Sequence, residues 1–303
     1  GERTRILRVR FEFDLEAMQR VVDELLVPAG HPHAEFLRGC GRDALMRLVL
    51  PSLERDVRRE LTERAETHAI EVFARNLRKL LLQPPVRDKR VLAVDPGFKS
   101  GCKLVALDEF GKPLGNDLIF LVGKEQQLAE ARVRFVDMVR HYQTSVIAIG
   151  NGTGCRAAEQ FVAELLSGEL AEIVASYVIV NEAGASVYST SPAGREEFPG
   201  FDATIRSGVS IGRRLQDPLS ELVKIDAASI GVGLYQHDLK SKPLRDSLDA
   251  VVESCVNFVG VDVNSASPAL LRYVSGLNQL TAQRVFDHRL ANGPFKSRAQ
   301  LRE

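Results

Sequence analysis

No stretch of this 303-residue chain approaches the roughly 18 consecutive apolar residues of a membrane span. The N-terminal GERTRILRVRFEFD has no apolar core of the kind a signal peptide needs. Cysteine is scarce. Cys40, Cys102, Cys155 and Cys255 are far apart and form no C-x-x-C pair, which argues against a zinc site or a disulfide framework and for reduced, mostly buried thiols. Net charge is absent as well, with 40 basic against 40 acidic residues. Such a chain does not coat nucleic acid by charge alone, so any contact of that kind must come from a local patch or from backbone amides. There is no low-complexity tract and no long repeat. What remains is a cytoplasmic globular composition, 45% hydrophobic and 26% charged, long enough for two or three domains. The chain opens at Gly1 without a Met and stops at Glu303 inside the periodic SRAQLRE, so both ends read as cut from a longer protein.

Residues 35–83 carry helical periodicity. Leu53, Val57, Leu61, Ala65, Ala69, Val72, Phe73, Leu77, Leu80 and Leu81 recur at three- and four-residue steps, with charges on the other faces. Upstream, AGHPH presents His31 and His33, an H-x-H pair without further ligands that reads as a solvent loop. Pro84 and Pro85 end the helix. The period then changes. RVLAVDP and CKLVALDE read as two strands, and with DEFGKPL as a turn the two are expected to form a hairpin. DLIFLVG is a third strand, EQQLAEARVRFVDMVRHY an amphipathic helix, and SVIAIG a fourth strand. CRAAEQFVAELL is a helix, IVASYVIVNEAG holds a fifth strand, and ATIRSGVSIGRRLQ is a closing helix. Antiparallel strands followed by α/β alternation give an RNase H-like order. From Pro218 the strands stop. KPLRDSLDAVVESCVNFVG is one helix, and two shorter ones flank VSGLN, where Gly276 stands at a turn that needs positive φ.

Chemistry concentrates at the strand ends. Asp95 closes the first strand, a poor place for a core residue and a good one for a metal or phosphate. Gly97 removes a side chain beside it, although Asp-Pro-Gly is also ordinary turn chemistry. Gly150 stands on the fourth strand where a resolvase carries an acid. Asn151, Gly152 and Thr153 then offer small side chains and amides just before a helix, either a phosphate cradle or a glycine-rich turn. Together with Gly97 and Lys99 they are the candidate phosphate loop. Glu182 follows the fifth strand. Asp202 precedes the closing helix, as a third acid or as its N-cap.

VDPGFKSGCK, IAIGNGTGCR, VIVNEAGASVYS, SIGRRLQDPLSELVKID, SIGVGLYQHD and LDAVVESCVNFVGVDVNSASPALLRYVSGLN together resemble the bacterial transcription accessory protein Tex family over residues 50–303. The resemblance implies an α/β plus all-α chain: a helical central region over 1–85, a YqgF/RuvC-like RNase H-fold domain over 86–217, and a helix-hairpin-helix region over 218–303 whose second unit is truncated. It also implies a helical domain before these and an S1 domain after them in full-length members. Glu182 falls on the second acid of YqgF relatives, whereas their third acid falls nearer Arg206 or Ser207 than Asp202.

The leading reading is a transcription accessory module that binds RNA or DNA without sequence preference, with no cofactor. Its contacts would come from Ser275, Gly276, Leu277 and Asn278, whose amides meet a phosphate at a helix N-terminus, helped by Arg272 and Arg284 in a locally basic segment. The competing reading is a nuclease that holds Mg²⁺ or Mn²⁺ on Asp95 and Glu182, with Asp202 as a third catalytic acid. In the leading reading Arg206 pairs with Asp95 or Glu182 and repels a second ion. A kinase-like ATPase is disfavoured, because no second D-x-G hairpin is present. A scaffold whose helical region docks RNA polymerase or ribosomal components is compatible with the first reading, and no membrane partner is expected.

Overall fold

A computed structural model describes residues 6–97, 100–174, 176–231, 233, 238–264 and 266–302. The chain divides into two compact units, residues 1–68 and 69–303. In the first, α1 (Leu15–Leu26) starts on Asp14, whose carboxylate accepts from the Ala17 amide at 2.9 Å and relieves one unpaired donor of the helix start. The helix α2 (Ala34–Ala44) continues through a π-helical turn at Leu45–Val49 into α3 (Leu50–Leu81). His31 and His33 lie in the loop between α1 and α2, where the His33 amide donates to His31 Nδ1 at 3.1 Å. Of the four thiols, Cys102 and Cys255 are buried while Cys40 is exposed.

The second unit takes the end of α3, from Ala69, and Pro84 and Pro85 follow the helix end as expected. A five-stranded sheet comes next: β1 (Val91–Asp95), β2 (Cys102–Leu107), β3 (Pro113–Ile119), β4 (Val146–Gly150) and β5 (Ser176–Val180). Its order is β3-β2-β1-β4-β5. The first three strands are antiparallel, and β4 and β5 run parallel to β1, in the RNase H-like arrangement. The third strand lies earlier than DLIFLVG suggests. The tight turn at Asp108, whose carboxylate accepts from the Phe110 and Lys112 amides, feeds straight into pairing of Pro113 with Leu107. Pairing with β2, not the apolar run, sets where β3 begins.

Alternation sorts the sheet into two faces. Leu92, Val94, Leu104, Ala106, Ile147 and Ile149 pack on α4 (Glu125–Tyr142) and α5 (Cys155–Leu166) through Phe135, Val139, Val162 and Leu165. Val91, Ala93, Val105, Leu107, Val146, Ala148 and Val180 face the other way. Beyond α6 (Ala185–Thr190) and α7 (Pro192–Glu197), α8 (Ala203–Gln216) covers that second face with Val209, Ile211 and Leu215. Its Gly208 and Gly212 allow the close approach. A Cβ on them would lie 2.7 Å from Val105 Cγ2 and 2.5 Å from Leu107 Cδ1.

The remaining helices are α9 (Pro218–Leu222), α10 (Ser241–Val259), α11 (Pro268–Leu271) and α12 (Gln279–Asn292). Their core joins Phe73, Leu77 and Leu81 of α3 to Leu219, Leu222, Leu244, Leu248, Val252, Val256 and Leu271, with Tyr188 of α6 among them. The segment after α12, where a further hairpin unit was expected, forms a short 3₁₀ helix at Arg298–Arg302.

Candidate functional site

Strand parity brings the pocket together. Asp95 continues the series Val91, Ala93, and Lys103 the series Val105, Leu107, so both face α8. The register sets Asp95 directly opposite Lys103. Gly150 ends β4 on the same face, and Glu182 stands two residues beyond Val180. From α8, Ser207 hydrogen-bonds the Asp95 carboxylate. Further along that helix face, at the i+7 position, the buried Arg214 guanidinium donates to the carbonyls of Asn181 at 2.7 Å and Ala183 at 2.8 Å, the two neighbours of Glu182.

The two carboxylates feel each other. Burial pushes the Asp95 carboxyl above its usual range, while the Lys103 charge and the Ser207 hydroxyl pull it back. Burial also raises Glu182, and the Asp95 charge adds to the rise. The Gly152 amide, Arg214 and Lys103 oppose it. One Glu182 oxygen, Oε2, is buried with no hydrogen-bond partner among the described residues. Burial lowers Arg214 to about 10.

Of its two expected roles Asp202 takes that of the N-cap of α8. Its Oδ1 accepts from Thr204 N at 2.8 Å and Ile205 N at 2.9 Å, the bonds of a helix cap. Arg206 does not enter the pocket. It is buried and donates to the carbonyls of Ser189 in α6 and of Phe198 and Phe201 in the loop after α7. The residue that faces Asp95 is its neighbour Ser207.

The expected phosphate loop is used internally. The Gly152 amide hydrogen-bonds the Glu182 carboxylate, and a Cβ on Gly152 would fall 1.7 Å from Glu182 Oε1. The Asn151 side chain accepts from the Glu182 amide at 3.0 Å, and the Asn151 amide donates to Val180. Thr153 is exposed beside them. The space that Gly97 leaves is filled by the chain's own turn, since a Cβ there would meet Ser100 Oγ at 2.4 Å and the Gly101 carbonyl at 2.5 Å. Lys99 lies outside the described residues.

The RNase H-like resemblance implies a divalent metal between carboxylates. The donor set does not fit it. Only two carboxylates come together there, Lys103 Nζ donates to Ser100 Oγ at 3.3 Å, and among the described residues no group of three or more His, Cys, Asp or Glu side chains could hold an ion. Neither Lys103 nor Arg214 was singled out from the sequence. Strand alternation was the available signal for Lys103, and the spacing of Ser207, Ile211 and Arg214 along one helix face was the signal for Arg214.

The hairpin between α11 and α12 is the second constellation. Gly276 sits at φ +89°, and a Cβ there would meet nothing within 4 Å. Three of the four expected amides already have acceptors. Ser275 N donates to Asn257 Oδ1 at 3.0 Å, Leu277 N to the Val274 carbonyl at 2.9 Å, and Asn278 N to Thr281 Oγ1 at 2.7 Å. Asn257 of α10 clamps the hairpin from both sides, donating to the Tyr273 carbonyl as well. Among the described residues the Gly276 amide has no acceptor, and the first-turn amides of Gln279 and Leu280 lie beyond intrahelical bonding. Arg272 lies over the Tyr273 ring at 4.6 Å and donates to its hydroxyl at 2.7 Å. Arg289 is also committed, to the Val263 and Ala266 carbonyls. Arg284 is exposed and has no ion pair among the described residues.

The family of the Tex protein YqgF-like domain matches residues 89–216, and the helix-hairpin-helix motif matches residues 256–303. YdcI of Bacillus subtilis (strain 168) is 46% identical over 304 residues, covering 100% of this chain and 42% of that protein. The transcriptional accessory protein Tex of Neisseria gonorrhoeae is 44% identical over 286 residues, 94% of this chain and 37% of that protein. The S1 RNA-binding domain-containing protein 1 of Homo sapiens is 45% identical over 263 residues, 86% of this chain and 26% of that protein. The chain thus spans less than half the length of each of these relatives.

Proposed function

The chain belongs to the Tex family of transcriptional accessory proteins, and on that premise we propose that this segment is a nucleic-acid-binding module that reads no sequence and hydrolyses nothing. The observation that carries the reading is the hairpin. Its positive-φ glycine leaves one amide free, ahead of the two free first-turn amides of α12. Such donors, at the positive end of a helix dipole, match a phosphate oxygen and carry no base information. Arg284, with Lys296 and Arg298 exposed nearby in sequence, supplies the counter-charge that the neutral chain as a whole lacks. The ligand class is RNA or DNA.

The strand-end pocket supports the non-hydrolytic half of the reading. Two-metal phosphodiester cleavage needs carboxylates that bridge ions about 3.5–4 Å apart. Here the acid before α8 caps that helix, and position 150 carries a glycine and no acid. The helical unit leaves Leu25 79% and Phe36 71% exposed, which suits a role in docking RNA polymerase or ribosomal components. No helix among the described residues is long and apolar enough to cross a membrane.

The test is fluorescence anisotropy with labelled single- and double-stranded oligonucleotides of unrelated sequence at several salt concentrations. A few phosphates neutralised give a log–log salt slope of about −2 to −4. Absence of binding at low salt, or strong preference for one sequence, refutes the reading.

A further inference from the structure

We propose that the cavity at the joint between the RNase H-like domain and the helix-hairpin-helix region binds an organic cation, a guanidinium or primary ammonium group carried on an apolar stem. The cavity encloses about 530 Å³, a size suited to a small ligand or to one long side chain with its backbone. Its lining comes from the loop before β1, the β2/β3 turn, the end of α8, α9, and residues 259–270 between the end of α10 and α11. Carboxylates outnumber cations on this lining six to three, in a chain whose total charge is zero.

The lining is also short of hydrogen-bond donors. The three N–H groups of Lys224 are taken by Glu197 Oε1 at 3.1 Å, Glu197 Oε2 at 3.0 Å and Glu221 Oε2 at 2.8 Å. Arg213 donates to the Gly111 carbonyl at 2.7 Å and to Glu197. Acceptors are left over. Glu221 is 2% exposed, and its Oε1 has no hydrogen-bond partner among the described residues. Gln216, 7% exposed, spends its amide nitrogen on the Lys89 and Asp108 carbonyls, and its Oε1 is likewise without a donor. Buried acceptors without donors are costly, so the occupant that suits this lining brings N–H groups and positive charge. An anion finds little to hold it, because Arg87 alone of the three cations has no ion pair among the described residues. At the rim Asp88 is exposed without an ion pair among the described residues, and Phe110, 90% exposed, offers its ring to a cation. Val259, Ala266 and Leu270 supply apolar surface along which the stem can lie.

The experiment titrates the whole chain at low salt with acetyl-Gly-Arg-Gly-amide, with its citrulline counterpart and with spermidine, following amide chemical shifts by NMR. At least one of the two cations, the arginine peptide or spermidine, is expected to bind saturably. The citrulline peptide keeps the shape and loses the charge, so it binds about tenfold or more weakly than the better cation. Asp88→Asn is expected to weaken cation binding about fivefold by removing one charge at the rim, and Phe110→Ala about threefold. Both positions are exposed, and Asn tolerates the φ of +57° at position 88, so both variants keep the fold. Glu221→Gln tests the deep wall and is expected to weaken binding as well, and the two rim variants decide should it not fold. Tighter binding of the arginine peptide than of spermidine assigns the site to an arginine on a protein segment, and the reverse assigns it to a free polyamine. No saturable binding of either cation up to about 10 mM overturns the proposal. So does citrulline-peptide binding as tight as that of the better cation, or cation binding unchanged in the folded variants.

Discussion

Gly276→Val separates a binding hairpin from a packing turn, because the structure isolates the one thing the substitution disturbs. A Cβ at position 276 meets nothing within 4 Å, so no steric clash is created and no core contact is lost. What changes is the backbone. At φ +89° a β-branched L-residue is strained, at a cost of about 1–3 kcal/mol. The hairpin relieves that strain by rotating, which re-aims the only hairpin amide without an internal acceptor. A hydrogen bond to a charged phosphate contributes about 1.5–3 kcal/mol, so affinity for oligonucleotide falls roughly tenfold to a hundredfold. Because the neighbouring amides stay clamped by Asn257 and Thr281, the melting of the rest of the chain changes little. Gly276→Asn is the control. Asn tolerates positive φ and its side chain has open space, so it retains most of the affinity. The assay is anisotropy at low salt, with circular dichroism to establish folding. Wild-type affinity in a folded Val variant refutes the reasoning, and so does equal loss in the Asn and Val variants.

Three further outcomes follow from the same geometry. Asp95 has a folded pKa raised above its ordinary 3.8, so the penalty is absent below the unfolded value and grows as pH rises through the folded one; Asp95→Asn should raise Tm at about pH 7 and lose that gain near pH 3. Gly212→Leu drives a side chain into Leu107 and Ala93 where a Cβ alone would stand 2.5 and 3.1 Å from them; urea denaturation should show a loss of about 1–3 kcal/mol or more. The chain should not cleave labelled duplex, single strand, RNA or four-way junction in Mg²⁺ or Mn²⁺, with Asp95→Asn run alongside; metal-dependent cleavage that disappears in that variant would overturn the non-hydrolytic reading.

The sequence by itself was enough for the elements whose signals are local. Pro84 and Pro85 end α3, alternation marks β1 and β2, periodicity marks α4 and α10, and the glycine of VSGLN takes positive φ. The order of these elements also carried the sheet order, because antiparallel strands followed by α/β crossovers leave few topologies open. Only the tertiary structure decided who bonds to whom. Asp202 and Ser207 lie little more than one helical turn apart, and the rotation of α8 on the sheet turns Ser207 toward Asp95 and leaves Asp202 at the helix start as its cap. Gly152 reads as a phosphate cradle until Glu182, 30 positions later, is found against it. Ser275 and Leu277 read as free amides until Asn257 arrives from α10 and the Val274 carbonyl turns inward. A residue's own torsions are governed by its immediate neighbours. The assignment of each donor and acceptor depends on groups that only folding brings within about 3 Å.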